Sequence, residues 1–148
     1  MLNPDSKLKE NIFDKPDMAA TRDGFGQALL ELGESNPHVV VLCADLAEST
    51  RTLAFKEKYP DRYIELGVAE QNLATVASGL ANYGKIPFIT SYAAFSPVRN
   101  NEQIRTTISL NNVPVKIAGA HAGISVGPDG ATHQALEDMG LMRMQPRM

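Results

Sequence analysis

Glu70, Asp45, Asp129, His121 and His133 are the side chains of this sequence best suited to holding or moving a proton. They fall in four blocks: Ala44-Asp45-Leu46-Ala47-Glu48-Ser49-Thr50, Gly67-Val68-Ala69-Glu70-Gln71-Asn72, Ser91-Tyr92-Ala93-Ala94-Phe95, and Ala120-His121 followed by Asp129-Gly130-Ala131-Thr132-His133-Gln134. Each residue also has a simpler role open to it. Glu70 in the first turn of a helix complements the helix dipole, and Asp45 suits a tight turn. Tyr92 and Phe95 are suited to a core, and Gly127-Pro128-Asp129-Gly130 is first of all a turn. His121 alone is compatible with a solvated or hydrogen-bonded histidine. The argument for chemistry rests on their common placement, because every block follows a predicted strand.

Those strands come from the hydrophobic pattern. His38-Val39-Val40-Val41-Leu42-Cys43 is a β-branched run without polar alternation, as expected of a strand covered on both faces. Further strands are predicted at 63–66, 86–90 and 113–119. Helical spacing places Phe25, Ala28, Leu29 and Leu32 on one face of a first helix, with Thr21 as N-cap and Gly33 near its end. Helices are also expected over 50–58, 69–83, 101–110 and 134–143, with Gly84 as the residue that ends the third. The 69–83 helix is rich in small residues, which fits ordinary packing on a sheet or close approach of another backbone. A helix–strand unit repeated four times predicts an α/β fold, an open parallel sheet with helices on both faces. Ligands of such sheets bind beyond the carboxyl ends of the strands, where the four blocks converge. His38 opens a strand at the opposite edge.

Composition bounds the alternatives. The chain has 148 residues, 43% hydrophobic and 21% charged, which is the make-up of one globular domain. A net charge of −3 argues against a general phosphate-neutralising surface, so no nucleic-acid partner is expected. The single cysteine, Cys43, excludes an internal disulfide and fits a reducing compartment. The longest apolar run, 39–44, is far short of the ~18 residues of a membrane span. The start shows no apolar signal, so the expectation is a cytoplasmic protein with no membrane partner. Residues 1–18 are polar, carry Pro4 and Pro16, and are expected to form an arm ahead of the domain at 19–148. There is no G-x-G-x-x-G after the first strand, no phosphate-binding P-loop, no G-x-S-x-G and no H-E-x-x-H. Cys43 lies in an apolar strand, poorly placed for a reactive thiolate.

Ala20-Thr21-Arg22, Ala44-Asp45-Leu46, Gly67-Val68-Ala69-Glu70-Gln71-Asn72 and Gly127-Pro128-Asp129-Gly130-Ala131-Thr132-His133-Gln134, in this order and spacing, resemble the pyrimidine-binding domain of the transketolase family. The resemblance runs from about Ala19 to Pro146. It implies thiamine diphosphate and Mg²⁺ as cofactors, and transfer of a two-carbon ketol unit between sugar phosphates of the pentose phosphate interconversions. In that family Glu70 would be catalytic, hydrogen-bonding a ring nitrogen of the aminopyrimidine. Phe95 or Tyr92 would pack on the same ring, and Asp45 would lie near the cofactor. Arg22, Ser49 and His121 match positions that bind the sugar-phosphate end. Asp129 and His133 match positions that contact substrate hydroxyls and reacting carbons, with His133 catalytic beside Glu70.

The sequence departs from the family pattern in two ways. Ala131 replaces a common Pro and Pro128 a usual Glu. The G-D-G motif and later Asn that hold the metal and diphosphate are absent, so no metal ligand is expected here. The resemblance therefore implies the C-terminal subunit of a split transketolase, paired with an N-terminal subunit in a homodimeric or heterotetrameric assembly and inactive alone. The chain also ends before the family's last strands and a further arginine, so the domain is expected to be incomplete. The alternatives are the equivalent half of 1-deoxyxylulose-5-phosphate synthase, a 2-oxo-acid dehydrogenase E1 β subunit, or a non-catalytic interaction module.

Overall fold

The computed structural model describes residues 13–14 and 17–148. Apart from Phe13, Asp14, Asp17 and Met18, the expected N-terminal arm lies outside the described residues. From Ala20 onward helices and strands alternate: α1 (Thr21–Ser35), β1 (Val39–Cys43), α2 (Leu53–Lys58), β2 (Tyr63–Glu65), α3 (Glu70–Asn82), β3 (Ile86–Tyr92), α4 (Asn101–Gln103), β4 (Lys116–Ala120) and α5 (Asp138–Arg143). The four strands form one sheet in the order β2-β1-β3-β4, and every pairing is parallel. The fold is the expected α/β sheet.

The central strand shows why the sequence chooses this arrangement. Every residue of Val39–Cys43 is buried. Val40 and Leu42 pack on one face with Ile89, with Leu73, Ala74 and Ala77 of α3, and with Ile104 and Ile108. Val39, Val41 and Cys43 pack on the other with Leu29, Phe55 and Tyr63. Helices thus cover both faces, which a continuous apolar strand requires. Ala74, Ala77 and Ala81 of α3 face the sheet in ordinary helix-on-sheet packing, whereas Thr75 and Gly79 lie exposed on the other side.

Several boundaries move, each for a local reason. Thr21 is the first helical residue of α1, not its cap; Ala20 precedes it and no side chain caps the helix. Gly33 lies inside α1, buried, where an added Cβ would meet Phe55 at 2.6 Å and Tyr59 at 2.7 Å. It is therefore a close-approach residue and not a terminator. Gly84 does end α3: at φ 83 its N–H donates to Ala81 O (3.1 Å) and that of Lys85 to Leu80 O (3.0 Å), a closed C-terminal motif. The helix expected over 50–58 starts at Leu53, because Thr50 is held in a turn by its hydroxyl on Leu46 O (2.8 Å).

The first predicted strand begins at Val39, one residue later than expected, and the fourth begins at Lys116, beyond Pro114, which has no N–H for a ladder. The 101–110 helix is α4 continued by a π-helical turn, Ile104–Ser109. The last expected helix is only α5. Ahead of it, the Gly123 N–H donates to Ala135 O (2.8 Å) and holds Gln134–Ala135 extended.

β2 lies on one side of β1 and β3 on the other, so the connections leaving β1 and β3 run in opposite directions. A crevice opens at the carboxyl ends of such a strand pair. No helix among the described residues is long and apolar enough to cross a membrane.

Candidate active site

At this edge the end of β4 and the start of α1 meet. Arg22 Nη1 donates to Ser49 O at 3.3 Å and lies 3.3 Å from His121 Nε2. A guanidinium can only donate, so Nε2 accepts and the imidazole proton sits on Nδ1. That Nδ1 is buried and has no partner. Burial first, then the charge of Arg22, push the His121 pKa below its usual value, while Asp129 opposes the shift. His121 therefore rests neutral beside a fixed cation. Its backbone is left-handed, φ 53, a conformation uncommon for a residue with a side chain. These residues border a cleft of about 950 Å³ whose walls include Thr50, Thr90, Tyr92 and Asp129.

An aromatic row leads away from the cleft. The Tyr92 ring lies 4.2 Å from His121 and 6.1 Å from Phe95, nearly parallel to the latter at 12°. His133 presents its edge to both, at 5.9 Å from Tyr92 and 5.1 Å from Phe95. The Arg99 guanidinium lies 4.4 Å above the Phe95 ring. Its Nη1 donates to Glu70 Oε2 at 2.8 Å. Glu70, the first residue of α3, is 1% exposed. Asn100, which follows Arg99 in the chain, donates to Glu70 O at 2.8 Å and to Ser96 Oγ at 3.1 Å.

The fold therefore gathers Arg22, His121, Asp129, Tyr92, Phe95 and His133 along one edge and joins Glu70 to them through Arg99. Ser49 takes part through its main-chain carbonyl, not its hydroxyl. Asp45 is exposed, with φ 56, and its N–H donates to Glu65 Oε1 at 2.7 Å. It acts as the turn former, and no contact ties its carboxylate to the aromatic row. Both aromatic candidates are present, with Phe95 the nearer to the Glu70–Arg99 pair.

Three contributors were not singled out from sequence. Glu65 ends β2 and takes the N–H of both Asp45 and Gly67 (3.0 Å), tying two edge loops together. An acid at the last position of a strand was a usable signal. Arg99 and Asn100 follow a bend at Ser96 that breaks the helical turn 94–99, and no periodicity announces it.

Among known proteins, the family model for the pyrimidine-binding domain of transketolase matches residues 17–148. The chain belongs to the transketolase pyrimidine-binding domain family. It is 46% identical over 127 residues to a Methanocaldococcus jannaschii protein described as a transketolase C-terminal section, covering 86% of this chain and 40% of that one. It is 40% identical to human transketolase over 132 residues, 88% of this chain and 21% of the human protein. It is 35% identical to 1-deoxy-D-xylulose-5-phosphate synthase of Desulfotalea psychrophila over 147 residues, 99% of this chain and 22% of that enzyme. A solved structure described as a split-gene transketolase, an inactive β4 tetramer, superposes with TM-score 0.74 at 49% identity, covering 86% of this chain and 41% of that one. The chain thus spans less than half the length of these relatives.

The residues present fit one end of the cofactor that this family uses. A buried carboxylate linked through one guanidinium to an aromatic ring suits a flat heterocycle with ring nitrogens. For the other end, no group of three or more His, Cys, Asp or Glu that could hold a metal occurs among the described residues.

Proposed function

We propose that this chain supplies the pyrimidine-binding half of a thiamine-diphosphate site in a split transketolase, with the Mg²⁺ and diphosphate held by an N-terminal partner subunit. The observation that carries this reading is Glu70: a carboxylate 1% exposed, at the sheet's ligand-binding edge, with one oxygen held by Arg99 and Phe95 alongside. Thiamine diphosphate, when bound, supplies the electron sink needed to break and remake a carbon–carbon bond between sugar phosphates.

The chain's own residues do the rest. Glu70 holds a proton at the aminopyrimidine ring nitrogen, as a positioned acid–base group. Phe95 or Tyr92 packs against that ring, in a row whose Phe95 end already carries the Arg99 guanidinium. Arg22 and His121 bind the phosphate end of the sugar. Asp129, in the wall of the cleft with Arg22 and His121, and His133, beside the aromatic row, contact the substrate hydroxyls and reacting carbons.

A mixture of this chain with an N-terminal transketolase section, thiamine diphosphate and Mg²⁺ is expected to transfer ketol units, and each component alone is expected to be inactive. Glu70→Gln should keep the assembly and lower turnover by about two orders of magnitude or more, the usual scale of a lost general acid–base group. Near-normal turnover by that variant would remove Glu70 from the reaction.

The similarity to 1-deoxy-D-xylulose-5-phosphate synthase across 99% of the chain favours a second reading, in which pyruvate is the donor. Assaying xylulose 5-phosphate against pyruvate separates the two. An inactive complex with a demonstrably bound partner would instead favour an interaction module.

A further inference from the structure

We propose that Arg99 is the positioning residue of the pyrimidine pocket: one guanidinium fixes a single oxygen of Glu70 and the face of Phe95, leaving the other oxygen for the cofactor. The proposal rests on the thiamine-diphosphate reading above and names a residue that composition and motif do not mark.

Glu70 is a buried carboxylate, and a buried charge is tolerated only when it is paired and hydrogen-bonded. Among the described residues its only salt bridge is to Arg99, Nη1 to Oε2 at 2.8 Å, and Oε1 takes no hydrogen bond. One oxygen is therefore immobilised and the other is kept for a further donor. The same guanidinium lies 4.4 Å above Phe95, within the range of a cation–π contact. The ring and the carboxylate are thereby set relative to one another by a single planar group. Core packing does not explain this side chain, which is 41% exposed. Its backbone is nonetheless fixed, because neighbouring Asn100 is fully buried and bonded to Glu70 O and Ser96 Oγ. Lysine could pair with Glu70 as a point charge, but it has no plane to lay on the ring.

The experiment compares wild type, Arg99→Lys and Arg99→Met in the complex with the N-terminal section, thiamine diphosphate and Mg²⁺. Cofactor affinity is read by titration calorimetry, kcat and KM by the ketol-transfer assay, and folding by the unfolding midpoint of each chain without cofactor. Arg99→Met is expected to weaken cofactor binding about tenfold and lower kcat about a hundredfold, the scale of a small misplacement of reacting groups. The KM for the sugar phosphate should stay within about threefold, because Arg22 and His121 are untouched. Arg99→Lys should recover the unfolding midpoint without recovering kcat, and this arm carries the test if the methionine variant folds poorly. Unchanged cofactor affinity and kcat in a folded Arg99→Met would overturn the proposal. So would full recovery of both by lysine, which would leave only a charge requirement. A wild-type complex that fails to bind thiamine diphosphate would overturn the functional reading itself, whatever the variants do.

Discussion

Neutral His121 next to Arg22 makes this end of the cleft sensitive to pH, and the sign follows from the geometry. Burial and the neighbouring guanidinium lower its pKa in the fold, with Asp129 offsetting part of the effect. In the unfolded chain the imidazole titrates near its usual value of about 6.5. As pH falls through that value the unfolded chain binds the proton first, so folding stability declines; above it both states are neutral and the contribution is complete. Urea unfolding at about pH 7.5 and pH 5.5 should therefore show a larger loss for wild type than for His121→Gln, which keeps an acceptor but does not titrate. Equal losses would mean that His121 does not titrate differently in the two states. A bound phosphate dianion reverses the sign by favouring the imidazolium, so inorganic phosphate should raise the His121 pKa followed by NMR.

The same scale shows how unevenly sequence exposes side chains. Arg22 and His121 were grouped, together with Ser49, only because the family resemblance matches all three to positions at the sugar-phosphate end. That Arg22 meets the Ser49 carbonyl, and that Asp45 sits in a left-handed turn, depended on backbone geometry that residue type leaves open. Arg99 was hidden because its role arises from contacts 29 residues away in the chain.

The elements around the site are held by close packing of α1 on the segment that leads into α2. A Cβ on Gly26 would meet Arg51 O at 2.6 Å and Arg51 Cβ at 2.8 Å, and the first of these is backbone that cannot rotate away. Gly26→Ala gains about 1 kcal/mol of helix propensity but forces α1 off its neighbour. Overpacking of this kind costs about 1–3 kcal/mol, so the net effect should be a loss. Chemical denaturation checks it; a stabilised variant would show that the two elements can separate freely. Because α1 carries Arg22, the same variant should also disturb the Arg22–His121 contact.

At this scale the alternation of helices and strands was plain from periodicity. Element ends were less so. Caps, buried threonines and a cross-loop hydrogen bond settle those, and they involve partners outside the local window.

For the molecule as a whole, the sheet order β2-β1-β3-β4 places the crevice between strands whose connections diverge. The proposal sets one end of the cofactor against this crevice and assigns the Mg²⁺ and diphosphate to a partner subunit. Thiamine diphosphate with Mg²⁺ should therefore shift the unfolding midpoint of this chain alone by no more than about 1 °C, and raise it clearly in the complex with the N-terminal section. A large shift for the chain alone would show that it carries the whole site.

What the sequence determined by itself was the fold class, the family and the edge of the sheet where chemistry would gather. Hydrophobic period, strand ends and motif spacing are local, and each is written in consecutive residues. The tertiary structure decided which candidates touch: that His121 accepts from Arg22, that Asp45 stands apart, and that Glu70 is buried against Arg99. Those outcomes depend on the approach of segments distant in the chain and on which polar atoms burial leaves without water, and neither is set by any single stretch of residues.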